Sequence, residues 1–159
     1  MSIAITDEHR ALADTASELL RKRDSRAAAR QLLEAGTEAL PDLWRDFVEL
    51  GWLGVHLPEA YGGSGFGLEE LVVIVEQLGR GLAPGPFVPT VIASAVIAAT
   101  ADDPTKARLL PGLADGSVAA GIALSEDGPV LGGGLATLLL ILRGGAEDEK
   151  RQRRPSCVE

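Results

Sequence analysis

Gly51-Trp52-Leu53-Gly54-Val55-His56-Leu57-Pro58-Glu59-Ala60-Tyr61-Gly62-Gly63-Ser64-Gly65-Phe66-Gly67 is the stretch on which the fold turns. Four glycines fall in its last six residues, a density that excludes an ordinary helix. Such a segment either lets backbone approach another group closely or turns sharply between two helices. No Gly-Lys-Ser or Gly-Lys-Thr follows it, so it is not a phosphate-binding loop. It also lacks the GxGxxG pattern and the preceding strand of a dinucleotide site.

Helical periodicity lies on both sides. Upstream, Pro41 to Leu50 reads as a helix with Leu43, Trp44, Phe47 and Val48 as its buried stripe and Gly51 as its stop. Trp44 and Phe47 read as core residues rather than ligand contacts. Earlier still, Thr6 caps a helix whose first turn carries Asp7 and Glu8. Leu12, Ala16, Leu19 and Leu20 share one side of it. Arg21, Lys22, Arg23 and Asp24 mark a wet face or a weak point before Ala27, Ala28, Leu32 and Leu33 resume the pattern. The spacing is compatible with one long helix or two.

Downstream, Leu68 to Gly79 forms a third helix with Leu71, Val72, Val75 and Leu78 on its face and Ile74 widening it, as in a helix buried between neighbours. Gly79, Gly81, Pro84, Gly85 and Pro86 interrupt the pattern. Pro89 starts a fourth helix with Val91, Ile92, Ala95, Val96 and Ala99 inward. Asp103-Pro104 opens a short fifth one holding Leu109, Leu110 and Leu113, which Gly116 ends. Val118 to Leu124 and Leu135 to Leu142 read as strands. The fold expected is mainly α: a helical bundle over 1–116, an incomplete β segment over 117–143 and an unstructured tail over 144–159.

Composition narrows the function classes. The chain has 159 residues, 46% of them hydrophobic and 24% charged, which fits a domain with a packed core rather than a disordered chain. The formal charge is −8, and Gly51 to Gly79 holds acids without Lys or Arg, so nucleic-acid binding has little support. Lys150, Arg151, Arg153 and Arg154 sit among Glu147, Asp148 and Glu149 and read as a solvated end. One cysteine, Cys157, precludes an internal disulfide, and His9 and His56 lack ligand spacing, so no metal site is expected. The polar N-terminus does not read as a secretory signal. Val88 to Ala101 is too short and polar to span a bilayer, so a cytoplasmic location is expected.

The order of features resembles the N-terminal domain of the acyl-CoA dehydrogenase family. Four places carry the resemblance: Thr6 to Leu20; Gly51 to Val55 through Pro58-Glu59-Ala60-Tyr61-Gly62-Gly63-Ser64-Gly65; Glu76-Gln77-Leu78-Gly79-Arg80; and Lys106 to Gly116. It covers residues 1 to 126. The resemblance implies a helical front, a central β-domain and a C-terminal helical bundle. It implies FAD, an acyl-CoA substrate desaturated between Cα and Cβ, and electron transfer to an electron-transfer flavoprotein. The join from Gly81 to Pro89 is similar to an actinobacterial branch linked to sterol and lipid breakdown, so a fatty or a steroid acyl chain is implied. By the same resemblance Phe87, Thr90 and Ser94 belong to the acyl pocket wall, though helix packing alone also accounts for Thr90 and Ser94. Ile122, Leu124 and Ser125 belong to the strand that meets the flavin, with Ser125 in the place of the usual Thr before Glu126.

The sequence then departs from the pattern. Asp127-Gly128-Pro129-Val130-Leu131-Gly132-Gly133-Gly134 resembles a piece found further along in the family, and Gly144 to Glu159 resembles none of it and reads as an eroded or frameshifted end. The family's catalytic base belongs to the C-terminal domain, so no catalytic residue is assigned. Asp14, Glu59, Glu69 and Glu76 read as surface or capping acids. A truncated chain, inactive alone and prone to associate through exposed apolar surface, is expected. It would associate with itself or with another acyl-CoA dehydrogenase whose site it completes.

Overall fold

The computed structural model describes residues 5–36, 39–125, 128–142 and 155–158. Among the described residues six α-helices lead into a small open sheet: α1 (Asp7–Lys22), α2 (Ser25–Glu34), α3 (Asp42–Glu49), α4 (Leu68–Arg80), α5 (Phe87–Thr100) and α6 (Asp103–Ala114). The strands are β1 (Ala120–Ala123), β2 (Val130–Leu131), β3 (Leu138–Leu142) and β4 (Pro155–Val158), in the order β2-β1-β3-β4. β1 runs antiparallel to β2 and parallel to β3, and β4 is antiparallel to β3. The sheet does not close on itself, and the fold class is the mainly α one that the sequence implies.

The first helical stretch is two helices. Asp24 adopts a left-handed conformation (φ 45°) that ends α1, and its carboxylate accepts the Ala27 N–H at 3.4 Å to start α2. Arg23, just before the break, reaches the buried Asp46 of α3.

The glycine-rich segment closes on its own chain. Ser64 N–H donates to the Gly54 carbonyl, Gly65 N–H to Leu57 and Phe66 N–H to Val55, at 2.9–3.0 Å. A Cβ on Gly63 would sit 2.0 Å from the Leu57 carbonyl oxygen, so the close approach for which glycine is needed is internal.

Two apolar clusters share α5. In the first, Phe47 stacks on Trp52 (centroids 5.8 Å apart) and meets Phe87 edge-on (5.3 Å), with Leu20, Leu53 and Ile74 around them. In the second, Ala93 and Ile97 join Leu110 and Leu113 of α6 to Ile122 and Leu140 of the sheet.

Several facing assignments need correction. Val72 is 63% exposed and Ile92 44%, Ala99 is also exposed, and Leu33 protrudes from α2. Gly79 lies inside α4, whose cap is Gly81. Helix α5 begins at Phe87 rather than Pro89. It contains no charged residue, and its hydroxyl residues Thr90 and Ser94 are buried, so the pattern could not say which side faces inward. The strands are shorter than the apolar runs that announced them. Of the expected tail, Pro155–Val158 is paired with β3, while Gly144 to Arg154 and Glu159 lie outside the described residues.

Candidate functional site

Helix α5 and strand β1 gather the residues singled out in the sequence. Phe87 is buried against Phe47. Thr90 is wholly buried; its hydroxyl donates to the Pro86 carbonyl at 2.7 Å and accepts the Ala120 N–H at 3.0 Å. Ser94 is wholly buried as well, donating to the Val91 carbonyl at 3.0 Å and lying 3.1 Å from His56 Nε2. All three therefore make their contacts inside the chain.

On the strand, Ile122 is buried and paired with Leu131 on one side and Leu140 on the other. Leu124 and Ser125 follow the last paired residue and are exposed. The Ser125 carbonyl accepts the Gly128 N–H at 3.3 Å, and a Cβ on Gly128 would come within 2.5 Å of Ser125 Oγ. A hydroxyl and backbone free of the sheet ladder thus stand at the C-terminal end of β1. Glu126, the acid beside them, lies outside the described residues.

The first turns of α5 carry exposed apolar surface. Val88 and Ile92, one helical turn apart, are 40% and 44% exposed. Val88, with Val130, Leu131, Pro86, Pro89 and the run Gly132 to Gly134, lines a groove of about 490 Å³. A Cβ on Gly132 would meet Pro89 Cγ at 2.8 Å, and its φ of 73° also favours glycine, so the turn packs directly on the first turn of α5.

His56, which the sequence offers only as a histidine without ligand spacing, lies beside Ser94. The Ser94 hydroxyl proton goes to the Val91 carbonyl, which can only accept, so His56 donates from Nε2 to Ser94 Oγ. Its Nδ1 is buried and has no hydrogen-bond partner among the described residues. Burial holds the imidazole below its ordinary pKa, keeping it neutral. The one signal for this pair was a titratable residue inside the apolar run Val55-His56-Leu57; its partner is 38 residues away. In the first turn of α4, Glu70 accepts the Gly67 N–H at 2.9 Å and lies 3.3 Å from His9 Nε2. Its own backbone N–H, with Gly67 and His9, holds its carboxyl below the usual range.

Asp14, Glu59, Glu69 and Glu76 are exposed, and Glu76 pairs with Arg80 along α4. Among the described residues no three His, Cys, Asp or Glu side chains gather as a metal cage, and no helix is long and apolar enough to cross a membrane.

A helical bundle that carries the opening strands of an unclosed β-domain defines the class. Residues 6–117 match the family model described as acyl-CoA dehydrogenase, N-terminal domain. The chain belongs to the acyl-CoA dehydrogenase family. It is 39% identical over 93 residues to acyl-CoA dehydrogenase FadE12 of Mycobacterium tuberculosis, covering 56% of this chain and 24% of that protein. It is 31% identical over 141 residues to acyl-CoA dehydrogenase IpdE2 of the same organism, covering 87% of this chain and 43% of the relative. Among solved structures, the Tcur3481–Tcur3483 steroid ACAD superposes with a TM-score of 0.78 at 28% identity, covering 97% of this chain and 48% of that one. An acyl-CoA dehydrogenase from Geobacillus kaustophilus shares the fold at a TM-score of 0.79 and 19% identity, over 100% of this chain and 50% of the other. The chain thus spans half or less of the proteins it matches.

Proposed function

We propose that this chain supplies the helical side and one flavin edge of an acyl-CoA site that a full-length acyl-CoA dehydrogenase completes, and that it does not turn over substrate alone. The observation that carries this reading is the exposed apolar groove that Val88, Val130 and Leu131 line, with Ile92 exposed one turn further along α5 and Leu124 and Ser125 exposed at the end of β1. Apolar surface of this kind beside a polar terminus marks a face made to be covered.

The residues present fit FAD along one edge. Leu124 offers apolar surface, and Ser125 offers a hydroxyl with unladdered backbone. Ile122 supports that edge from beneath, since its side chain is buried and its backbone lies within the ladder. Bound FAD supplies a hydride acceptor for the carbon β to an acyl-CoA thioester. The part of this chain is to hold the acyl chain against Val88 and Ile92 and to exclude water there, with Phe87, Thr90 and Ser94 stiffening that wall from within. The carboxylate base belongs to the partner subunit in this reading, and the electrons pass on to an electron-transfer flavoprotein. Of the fatty and steroid acyl chains that the resemblance implies, the steroid one is supported by the steroid ACAD among the structural neighbours, whose name gives a pair of proteins. The setting proposed is the cytoplasm.

Co-expression with a full-length acyl-CoA dehydrogenase of the same cell tests the reading. Co-purification, flavin absorbance retained by the complex, and acyl-CoA oxidation above that of the partner alone are the outcomes expected. Acyl-CoA turnover by this chain alone would overturn it, and so would a chain that remains a monomer beside every such partner.

A further inference from the structure

We propose that Thr90 is a positioning residue: through the Ala120 amide it sets where the end of β1, with Leu124 and Ser125, stands relative to the outward face of α5. Its bearing on flavin rests on the reading above, whereas the latch itself does not.

Back-bonding of a helical Thr hydroxyl to a carbonyl four residues earlier is ordinary, and Thr90 does this with Pro86. The second bond is what matters. Ala119 turns its carbonyl toward β3, accepting the Thr137 and Leu138 amides at 2.8 and 3.3 Å. Alternation along a strand turns the next residue the other way, toward β2, and a Cβ on Gly132 would lie 3.4 Å from the Ala120 carbonyl oxygen. Yet β2 pairs with β1 only at Ile122 and Ala123. The Ala120 N–H therefore faces a gap where a longer β2 would have supplied a carbonyl. Thr90 Oγ1 fills that gap at 3.0 Å in a wholly buried position.

The hydroxyl thus stands in for a missing strand residue. It spends its proton on its own helix and its lone pair on the sheet, which couples the two rigidly. Leu124 and Ser125 lie four and five residues beyond the latch, in the bend that follows β1. Val88 and Ile92 lie on the same turns of α5 as Thr90 but point outward. Fixing Ala120 to Thr90 therefore fixes the spacing between the helix face offered to an acyl chain and the strand end offered to a flavin.

The test compares Thr90→Val, which keeps the shape and loses the hydroxyl, with Thr90→Ser, which keeps the hydroxyl. In the isotope-labelled chain, T90V is expected to speed Ala120 amide exchange roughly ten- to a hundredfold relative to the Ile74 amide in α4. It should also move the Leu124 and Ser125 resonances, and T90S should restore both. A folded T90V chain with unchanged Ala120 exchange and unchanged Ser125 resonance overturns the proposal. If T90V does not fold, the temperature coefficient of the Ala120 amide in the unmodified chain decides: a solvent-like value overturns the latch, and a hydrogen-bonded value that T90S retains supports it. In the complex with a full-length dehydrogenase, T90V should weaken FAD binding without weakening subunit association. A wild-type complex that takes up no FAD would overturn the flavin reading, while the Ala120 measurements still decide the latch.

Discussion

At Gly63 an added Cβ would meet the Leu57 carbonyl oxygen at 2.0 Å, whereas at Gly36 it would meet nothing within 4 Å. Gly63→Ala should therefore destabilise the chain by about 1–3 kcal/mol or more in urea unfolding, and Gly36→Ala should leave it within about 0.5 kcal/mol. His56 makes a different kind of prediction, because the folded chain holds its pKa below the ordinary 6.5. A depressed histidine pKa means that the unfolded chain binds the proton first. Its contribution to stability is whole above pH 6.5 and is lost as pH falls through the folded value. The wild type should lose stability as pH falls below 6.5, and His56→Gln should flatten that limb. The loss at lower pH that comes with protonating Glu70 and Asp102 should remain, since both are held below their ordinary carboxyl values, Asp102 by the Thr105 hydrogen bonds it accepts as the cap of α6. Equal slopes in the two proteins would mean that the orphaned Nδ1 is not felt.

The helices were legible wherever polar and apolar residues alternate with a helical period. In α3, Leu43, Trp44 and Phe47 are buried as their spacing requires, and in α6 so are Leu109, Leu110 and Leu113. Legibility failed in α5, because Phe87 to Thr100 carries no charge to mark an outer face. It failed again for Thr90 and Ser94, whose partners Ala120 and His56 are brought near only by tertiary packing. Ser125 was marked only by the resemblance, as the hydroxyl in the place of the usual Thr before Glu126, since a lone serine at a strand end carries no signal of its own. The outer face of α5 makes its own prediction. Ile92→Lys, at an exposed position, should change unfolding stability by no more than about 0.5 kcal/mol. The same change should abolish co-purification with a full-length dehydrogenase. Phe47→Ala, at the point where α3 meets Phe87 and Trp52, should instead cost about 3–5 kcal/mol in urea unfolding.

Taken whole, the molecule leaves apolar residues uncovered on several elements: Phe66, Leu68 and Val72 around α4, Val88 and Ile92 on α5, and Leu124, Val130 and Leu131 at the sheet. The chain on its own should therefore self-associate with rising concentration, as read by sedimentation velocity, and a stoichiometric partner should suppress this. Residues 6–117 match the N-terminal family model, yet their packing does not stop at that boundary. Helix α5 gives Phe87 and Val91 to the bundle cluster and Ala93 and Ile97 to the cluster that includes Ile122 and Leu140. A protease nick between Gly116 and Ala120 would thus strip both fragments of a wall they hold in common. Calorimetry should accordingly find a single melting event across the helices and the strands, and no trimmed front piece should persist as a free-standing cassette.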